Sequence, residues 1–359
     1  MLKINILYIV SIFIFYGCNN VKEPTSGQPH ENPPDIELNK NVEVIGLLYH
    51  RFDETKYPST SISSTLFRQQ LSYLKNNNYK VLRLSDAIQK LSSNEANGKY
   101  VVITIDDAFN SFMDNGFPII KEFGFPATLF INTETVGSGD YINWNDLKVL
   151  VNNGIEIGNH THSHDYFLNK DTATRYQSFI HDVQLAQDLI QSKLNVEPKV
   201  FAYPYGEYDE GMREVIRNME FIGATAQNSG VMSAYSDLYS LPRFPMTDQY
   251  GKIEAFSEKI SMKALPVVKT IPSSPVATEN PPVLQFVLGK EIFDLDQIQC
   301  FVQGGKCVLR ELEGDKLSFQ ISADQELKSR RHLYTVTIPS KDNSQWYWFS
   351  YQWVFPAKK

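Results

Sequence analysis

Residues 100–107 read Tyr-Val-Val-Ile-Thr-Ile-Asp-Asp (YVVITIDD). An unbroken apolar run of this length reads as a β-strand. The run leads straight into two adjacent carboxylates, and in α/β folds the strand ends collect the groups that do chemistry. Past the strand end the chain turns, so one Asp can face a metal while the other faces a substrate. A structural reading also exists, in which one Asp caps the next helix and the other stays solvated.

Working outward, strand-like and helix-like segments alternate. The strand VEVIGLLYH ends at His50. The segment STLFRQQLSYLKNN (64–77) reads as a helix with Phe67, Leu71 and Leu74 on one side. YKVLRL is a strand, PIIKEFG a short helix, ATLFI a strand and WNDLKVLVNNG a helix closed by glycine. IEIG, a long helix over 172–194, the strand KVFAY and the helix DEGMREVIRNM follow. This alternation implies an α/β domain with a mostly parallel sheet, open or closed as a barrel.

The character changes near residue 265. Residues 265–282 are rich in proline and serine and read as a linker; 283–359 hold short β-type runs that predict a small all-β sandwich. Its last run, QWYWFSYQWV, offers aromatic faces that could stack on sugars. The plainer expectation is that Trp346, Trp348 and Ser350 face one way and fill the sandwich core.

Hydrophobic residues make up 42% of the 359 and charged residues 21%, enough for a sizeable core. A net charge of −7 argues against nucleic acid as a partner. The N-terminal MLKINILYIVSIFIFY has one early lysine and an apolar run ending at Gly17-Cys18, as in a secretory signal. A small residue before cysteine resembles the lipobox of bacterial lipoproteins, although Phe15 and Tyr16 are bulkier than usual there. The expectation is a signal peptide over 1–18, lipidation at Cys18 and a polar tether over 19–41. It implies secretion across the inner membrane and a lipid-anchored place in the cell envelope, at the outer membrane. Cys300 and Cys307, in CFVQGGKC, flank a Gly-Gly turn and can pair in an oxidising compartment.

The stretch 159–164, NHTHSH, puts three of seven histidines into five residues. Catalytic zinc-type sites use about three protein ligands and leave a position open. His160 and His164, four apart, can reach one ion if the segment forms a helical turn, and one carboxylate of the Asp pair would complete the set. His162 then points elsewhere.

TIDDAFNS, HTHSH and FAYPYGEYD, in that order, resemble the first three motifs of the polysaccharide deacetylases, carbohydrate esterase family 4. The resemblance covers about 42–250 and implies a distorted (β/α)7 barrel over 42–264. It also implies one divalent ion (zinc, with cobalt or nickel as alternatives) held by Asp107, His160 and His164. Asp106 would be the catalytic base, and Tyr205 would offer its backbone N–H to the oxyanion. Two positions depart from the pattern. Ala108 stands where the family usually has glycine, and Ala202 stands where its third motif usually has arginine. Another cation must then hold the base, and Arg243 in LPRF is the candidate, against a merely structural role. The family also needs an acid, normally a late histidine. After residue 206 only His332 remains, in the second domain, and His181 sits mid-helix. That leaves His50, and the same position resembles the branch acting on poly-β-1,6-N-acetylglucosamine, where YH opens the domain and an FxxQLxxL helix follows. The expected substrate is an N-acetylated envelope or extracellular polysaccharide. The alternatives are another acylated glycan, such as peptidoglycan or an O-acetylated polymer, and non-catalytic glycan binding on the same fold.

Overall fold

The structure, a computed structural model, describes residues 42–93, 98–289, 292–314 and 317–357. The expected signal, Cys18 and the tether lie outside them. In the first part the strands are β1 (Glu43–Tyr49), β2 (Arg51–Phe52), β3 (Ser61–Ile62), β4 (Lys80–Leu82), β5 (Tyr100–Ile105) and β6 (Thr128–Ile131). They continue as β7 (Glu156–Asn159), β8 (Val200–Ala202), β9 (Gly223–Thr225), β10 (Val231–Ser233) and β11 (Phe244–Pro245). Helices α1 (Ser64–Asn76), α2 (Leu84–Leu91), α3 (Phe117–Phe123), α4 (Trp144–Asn152), α5 (Arg175–Leu194), α6 (Glu210–Asn218) and α7 (Ile253–Ser261) lie between and after them.

The main sheet runs β10-β1-β5-β6-β7-β8-β9, with β4 added to β5 and β11 to β1. Only β10 is antiparallel to its neighbour. All six residues of β5 are buried, as a strand covered on both faces requires. Residues 241–245 curl the sheet back on itself: Leu241 bridges Thr225 after β9, and Phe244 and Pro245 pair with Leu47 and Leu48 of β1. The result is the mostly parallel sheet that the strand-helix alternation predicts, curled into the distorted barrel that the resemblance implies.

Local chemistry starts the helices where expected. Asn143 accepts from the N–H groups of Asn145 and Asp146 at the head of α4, and Asp209 from Met212 at the head of α6. Gly154, with φ of 85°, follows α4. The sequence pattern did not call for α2; its buried Leu84, Ala87, Ile88 and Leu91 form a stripe only two turns long.

The C-terminal part is a sandwich of two four-stranded sheets. Its strands are β12 (Lys263–Ala264), β13 (Val267–Ile271), β14 (Val283–Leu288), β15 (Gln299–Val302), β16 (Cys307–Glu311), β17 (Ser318–Ala323), β18 (Arg331–Pro339) and β19 (Trp346–Val354). One sheet runs β12-β19-β18-β15 and the other β13-β14-β17-β16. Two expectations need correction. The stretch expected as linker contributes β13, which pairs with β14, because its Val and Ile residues add an edge strand despite the flanking prolines. The alternation in β19 is real, but its phase is opposite. Tyr347, Phe349, Tyr351 and Trp353 face the sandwich core. Trp348, Ser350 and Gln352 face the barrel: Trp348 meets the Phe244 ring, and Ser350 bonds to Ser229. Cys300 and Cys307 form a disulfide. It joins β15 and β16, edge strands of different sheets, rather than the two arms of one hairpin.

Candidate metal centre and catalytic face

Asp106 and Asp107 leave β5 beside His50, which leaves the paired strand β1; the Asp106 N–H donates to the Tyr49 carbonyl at 3.0 Å. The two carboxylates then diverge. Asp106 is fully buried, and its two oxygens accept from Arg243 Nη1 at 2.7 Å and Nη2 at 2.8 Å. Arg243 is also fully buried, and donates further to Thr104 Oγ1 and the Ala226 carbonyl. Segment 241–245, which closes the barrel, therefore carries the cation that the third motif lacks at Ala202. Burial alone would raise the Asp106 pKa, but Arg243, with His160 and His50, holds it below the usual carboxylate value.

Asp107 turns the other way, through φ of 73°, followed by Ala108 at 57°. Its Oδ1 lies 3.5 Å from His160 Nε2 and 3.3 Å from His164 Nε2, and the two Nε2 atoms are 3.2 Å apart. Three ligands at about 2.0–2.1 Å from a tetrahedral ion would be separated by about 3.3 Å, so these three atoms fit one ion. The protonation pattern fits too. His160 Nδ1 lies 2.7 Å from the Ala202 carbonyl, which fixes the proton on Nδ1 and leaves the Nε2 lone pair for the ion. Burial pushes His164 down to about 4, with His160 beside it adding to the effect, so this imidazole is neutral at ordinary pH. Burial would also lower His160, but the carboxylates of Asp107 and Asp106 raise it overall.

The four-residue step between the histidines is not a helical turn. Thr161 (φ 68°) and His164 (φ 53°) are left-handed, and the loop is pinned from outside. Asp182 Oδ1, on α5, accepts from the His162 and Ser163 N–H groups at 2.7 and 3.0 Å. Asn159 Oδ1 accepts from the Thr161 N–H, while its amide donates to Val183 O and Gln187 Oε1. Sequence reasoning missed both supports. Asn159 stands directly before the cluster, but Asp182 carries no signal beyond an acid on a helix. His162 faces Thr133 Oγ1 at 2.9 Å, apart from the triad, and His181 is exposed. Inside the sandwich His332 Nδ1 lies 2.6 Å from the Gln303 carbonyl, and its Nε2 accepts from the Ser329 N–H.

His50 sits partly buried among these charges. Burial lowers its pKa, opposed by Asp107 and Asp106 and reinforced by Arg243 and His160. Tyr205 occupies the left-handed region at φ 60° in the turn Pro204–Gly206. That turn closes through Gly206 N–H to Tyr203 O and Glu207 N–H to Pro204 O, neither of which uses the Tyr205 N–H. Its ring lies 4.5 Å from the His164 ring and stacks on Tyr166 at 3.8 Å.

The sequence model of the polysaccharide deacetylase family matches residues 93–223. A poly-β-1,6-N-acetyl-D-glucosamine N-deacetylase of Staphylococcus aureus is 24% identical over 267 residues, covering 68% of this chain and 92% of that protein. A putative polysaccharide deacetylase of Bacillus subtilis is also 24% identical, over 58% of this chain and 73% of its own. In fold, the chain is similar to the Streptococcus pyogenes deacetylase PplD solved with acetate (23% identity, TM-score 0.57, 62% of this chain and 99% of that one). It is likewise similar to IcaB from Ammonifex degensii (23% identity, TM-score 0.54, 62% and 98%). Motif order, barrel and relatives agree: the chain carries a polysaccharide deacetylase domain over residues 93–223, and its homologues and structural neighbours support an amide-hydrolysing enzyme.

Proposed function

We propose that this protein removes N-acetyl groups from an N-acetylglucosamine polysaccharide of the cell envelope or matrix, in a metal-dependent hydrolysis. The observation that carries the reading is the convergence of Asp107, His160 and His164 at 3.2–3.5 Å beside a carboxylate clamped by Arg243. A divalent ion held by those three residues, zinc foremost and cobalt or nickel as alternatives, would polarise the acetamide carbonyl and make a water more acidic.

The chain's own residues do the rest. Asp106 takes a proton from the water that attacks the acetamide carbon. Arg243 keeps Asp106 ionised and fixed, while a second lone pair on each oxygen remains free for that proton. The Tyr205 N–H, unused by its own turn, donates to the developing oxyanion. His50 protonates the nitrogen as the carbon–nitrogen bond breaks, giving acetate and a free amine. The relatives' names favour a β-1,6-linked substrate.

The test is acetate release from β-1,6- and β-1,4-linked N-acetylglucosamine oligomers, with and without chelator. Release from the β-1,6 series that stops with chelator and returns with zinc is expected. Release only from O-acetylated glycans or peptidoglycan fragments would move the substrate elsewhere, and binding without release would make the protein a lectin-like relative. We also propose that lipid at Cys18 anchors the enzyme on the envelope; the disulfide suits that oxidising side of the membrane. Cys18→Ala should release the protein from the membrane fraction.

A further inference from the structure

We propose that the C-terminal sandwich completes the catalytic face, with Arg331 and Arg330 as positioning residues for the turn that carries Tyr205. This rests on the reading of the Tyr205 N–H given above. The turn is poorly held by itself. Tyr205 is left-handed, a conformation unfavourable for a residue with a side chain. Gly206 follows at φ 68°, where a side chain would meet Gln227 at 2.6 Å.

The missing support comes from the sandwich. Arg331 Nη1 donates to the Tyr205 carbonyl at 2.9 Å, and Gln352 Nε2 to the Gly206 carbonyl at 3.2 Å. Glu207, next along and only 4% exposed, receives a two-pronged bond from Arg330 at 2.7 and 2.6 Å. Arg330 also donates to Asn169 Oδ1 and lies over the Tyr166 ring, which stacks on Tyr205. The two carbonyls that follow the proposed oxyanion amide are thus bonded by side chains of β18 and β19, and the Glu207 side chain by Arg330 just before β18. A simple docking contact would need none of these bonds to backbone carbonyls. In oxyanion sites a displacement near 1 Å costs about a hundredfold in rate, so loosening this turn should be read in turnover.

The experiment uses the full chain loaded with zinc, measuring kcat, KM, zinc content and thermal unfolding. Arg331→Ala should lower kcat about ten- to a hundredfold, with KM within a few-fold and zinc content unchanged. Arg331→Lys, which can still reach a carbonyl, should recover most of the loss. Unchanged kcat in folded Arg331→Ala, or a loss that only tracks the unfolded fraction, overturns the proposal. Should Arg331→Ala fold poorly, Gln352→Ala removes one bond to the same turn. A kcat loss there at constant KM supports the proposal, and unchanged kcat overturns it. Wild-type protein is the reference: if it releases no acetate, the deacetylase reading falls and takes this proposal with it. Wild-type turnover with indifferent variants sinks the proposal alone.

Discussion

The barrel rim and the sandwich handle backbone geometry in opposite ways. Around the candidate centre, Asp107, Ala108, Thr161, His164 and Tyr205 all take left-handed φ without being glycine. Among the described residues of the sandwich, Asn343, in a turn where asparagine is at ease, is the non-glycine residue that does so. Strain of this kind persists where surrounding structure over-determines it, and it clusters at functional sites. The sandwich strands are regular because extended backbone suffices to pack and to present side chains; the rim is irregular because it brings Asp107, His160 and His164 to one point beside the Tyr205 turn. The rim is accordingly held from outside, by α5 behind the histidines and by β18 and β19 behind Tyr205.

Breaking the chemistry alone should have the largest effect. Asp106→Asn should cut acetate release about a thousandfold while zinc stays bound and the fold intact; substantial turnover would remove Asp106 as base. His50→Ala should cost about a hundredfold in kcat, and normal turnover would return attention to His162 or His181. Breaking a rim support comes next. Asp182→Ala frees the His162 and Ser163 amides and should weaken zinc binding about ten- to a hundredfold, measured by competition with a chromogenic chelator.

Protons should sharpen the same point. His160 must shed a proton to bind metal, and its pKa is raised, so zinc affinity should fall as pH drops through that value. The loss should be about tenfold per pH unit for one competing proton, seen by calorimetry between pH 5 and 8. Breaking the sandwich's disulfide, in contrast to its brace on the Tyr205 turn, should leave catalysis nearly untouched. The doubly substituted Cys300→Ser, Cys307→Ser protein should lose about 2 kcal/mol of unfolding free energy with kcat unchanged, since the bridge lies between sheet edges away from the Tyr205 turn. Smallest of all, Ala108→Gly should shift stability by less than about 1 kcal/mol, because relief of the left-handed strain is offset by added freedom in the unfolded chain.

Much of this was legible in the sequence, for reasons that differ by residue. The Asp pair and the His160–His164 spacing are local, and local signals survive in a linear chain. Arg243 emerged from the resemblance: the family's third motif usually has arginine where this chain has Ala202, so another cation had to hold the base. The phase of β19 was not legible. Period-2 alternation says that two faces differ, but which face meets the sandwich core depends on the barrel surface opposite. Asn159 and Asp182 stayed hidden because their role is to satisfy backbone N–H groups of a loop whose shape the sequence does not state. The strand inside 265–282 was masked by prolines, which an edge strand tolerates and a central one does not.

The order in which the ribosome makes these pieces gives the β18–β19 hairpin one more consequence. The proposed metal ligands and the proposed base Asp106 emerge first, and Arg243 soon after. Arg330, Arg331 and Gln352, which brace the Tyr205 turn, come off last. A chain halted before Arg330 would own Asp107, His160 and His164 and still lack the brace for the proposed oxyanion amide. On the proposed role of the brace, turnover requires β18 and β19 to have folded against the barrel, and not the ligand set alone.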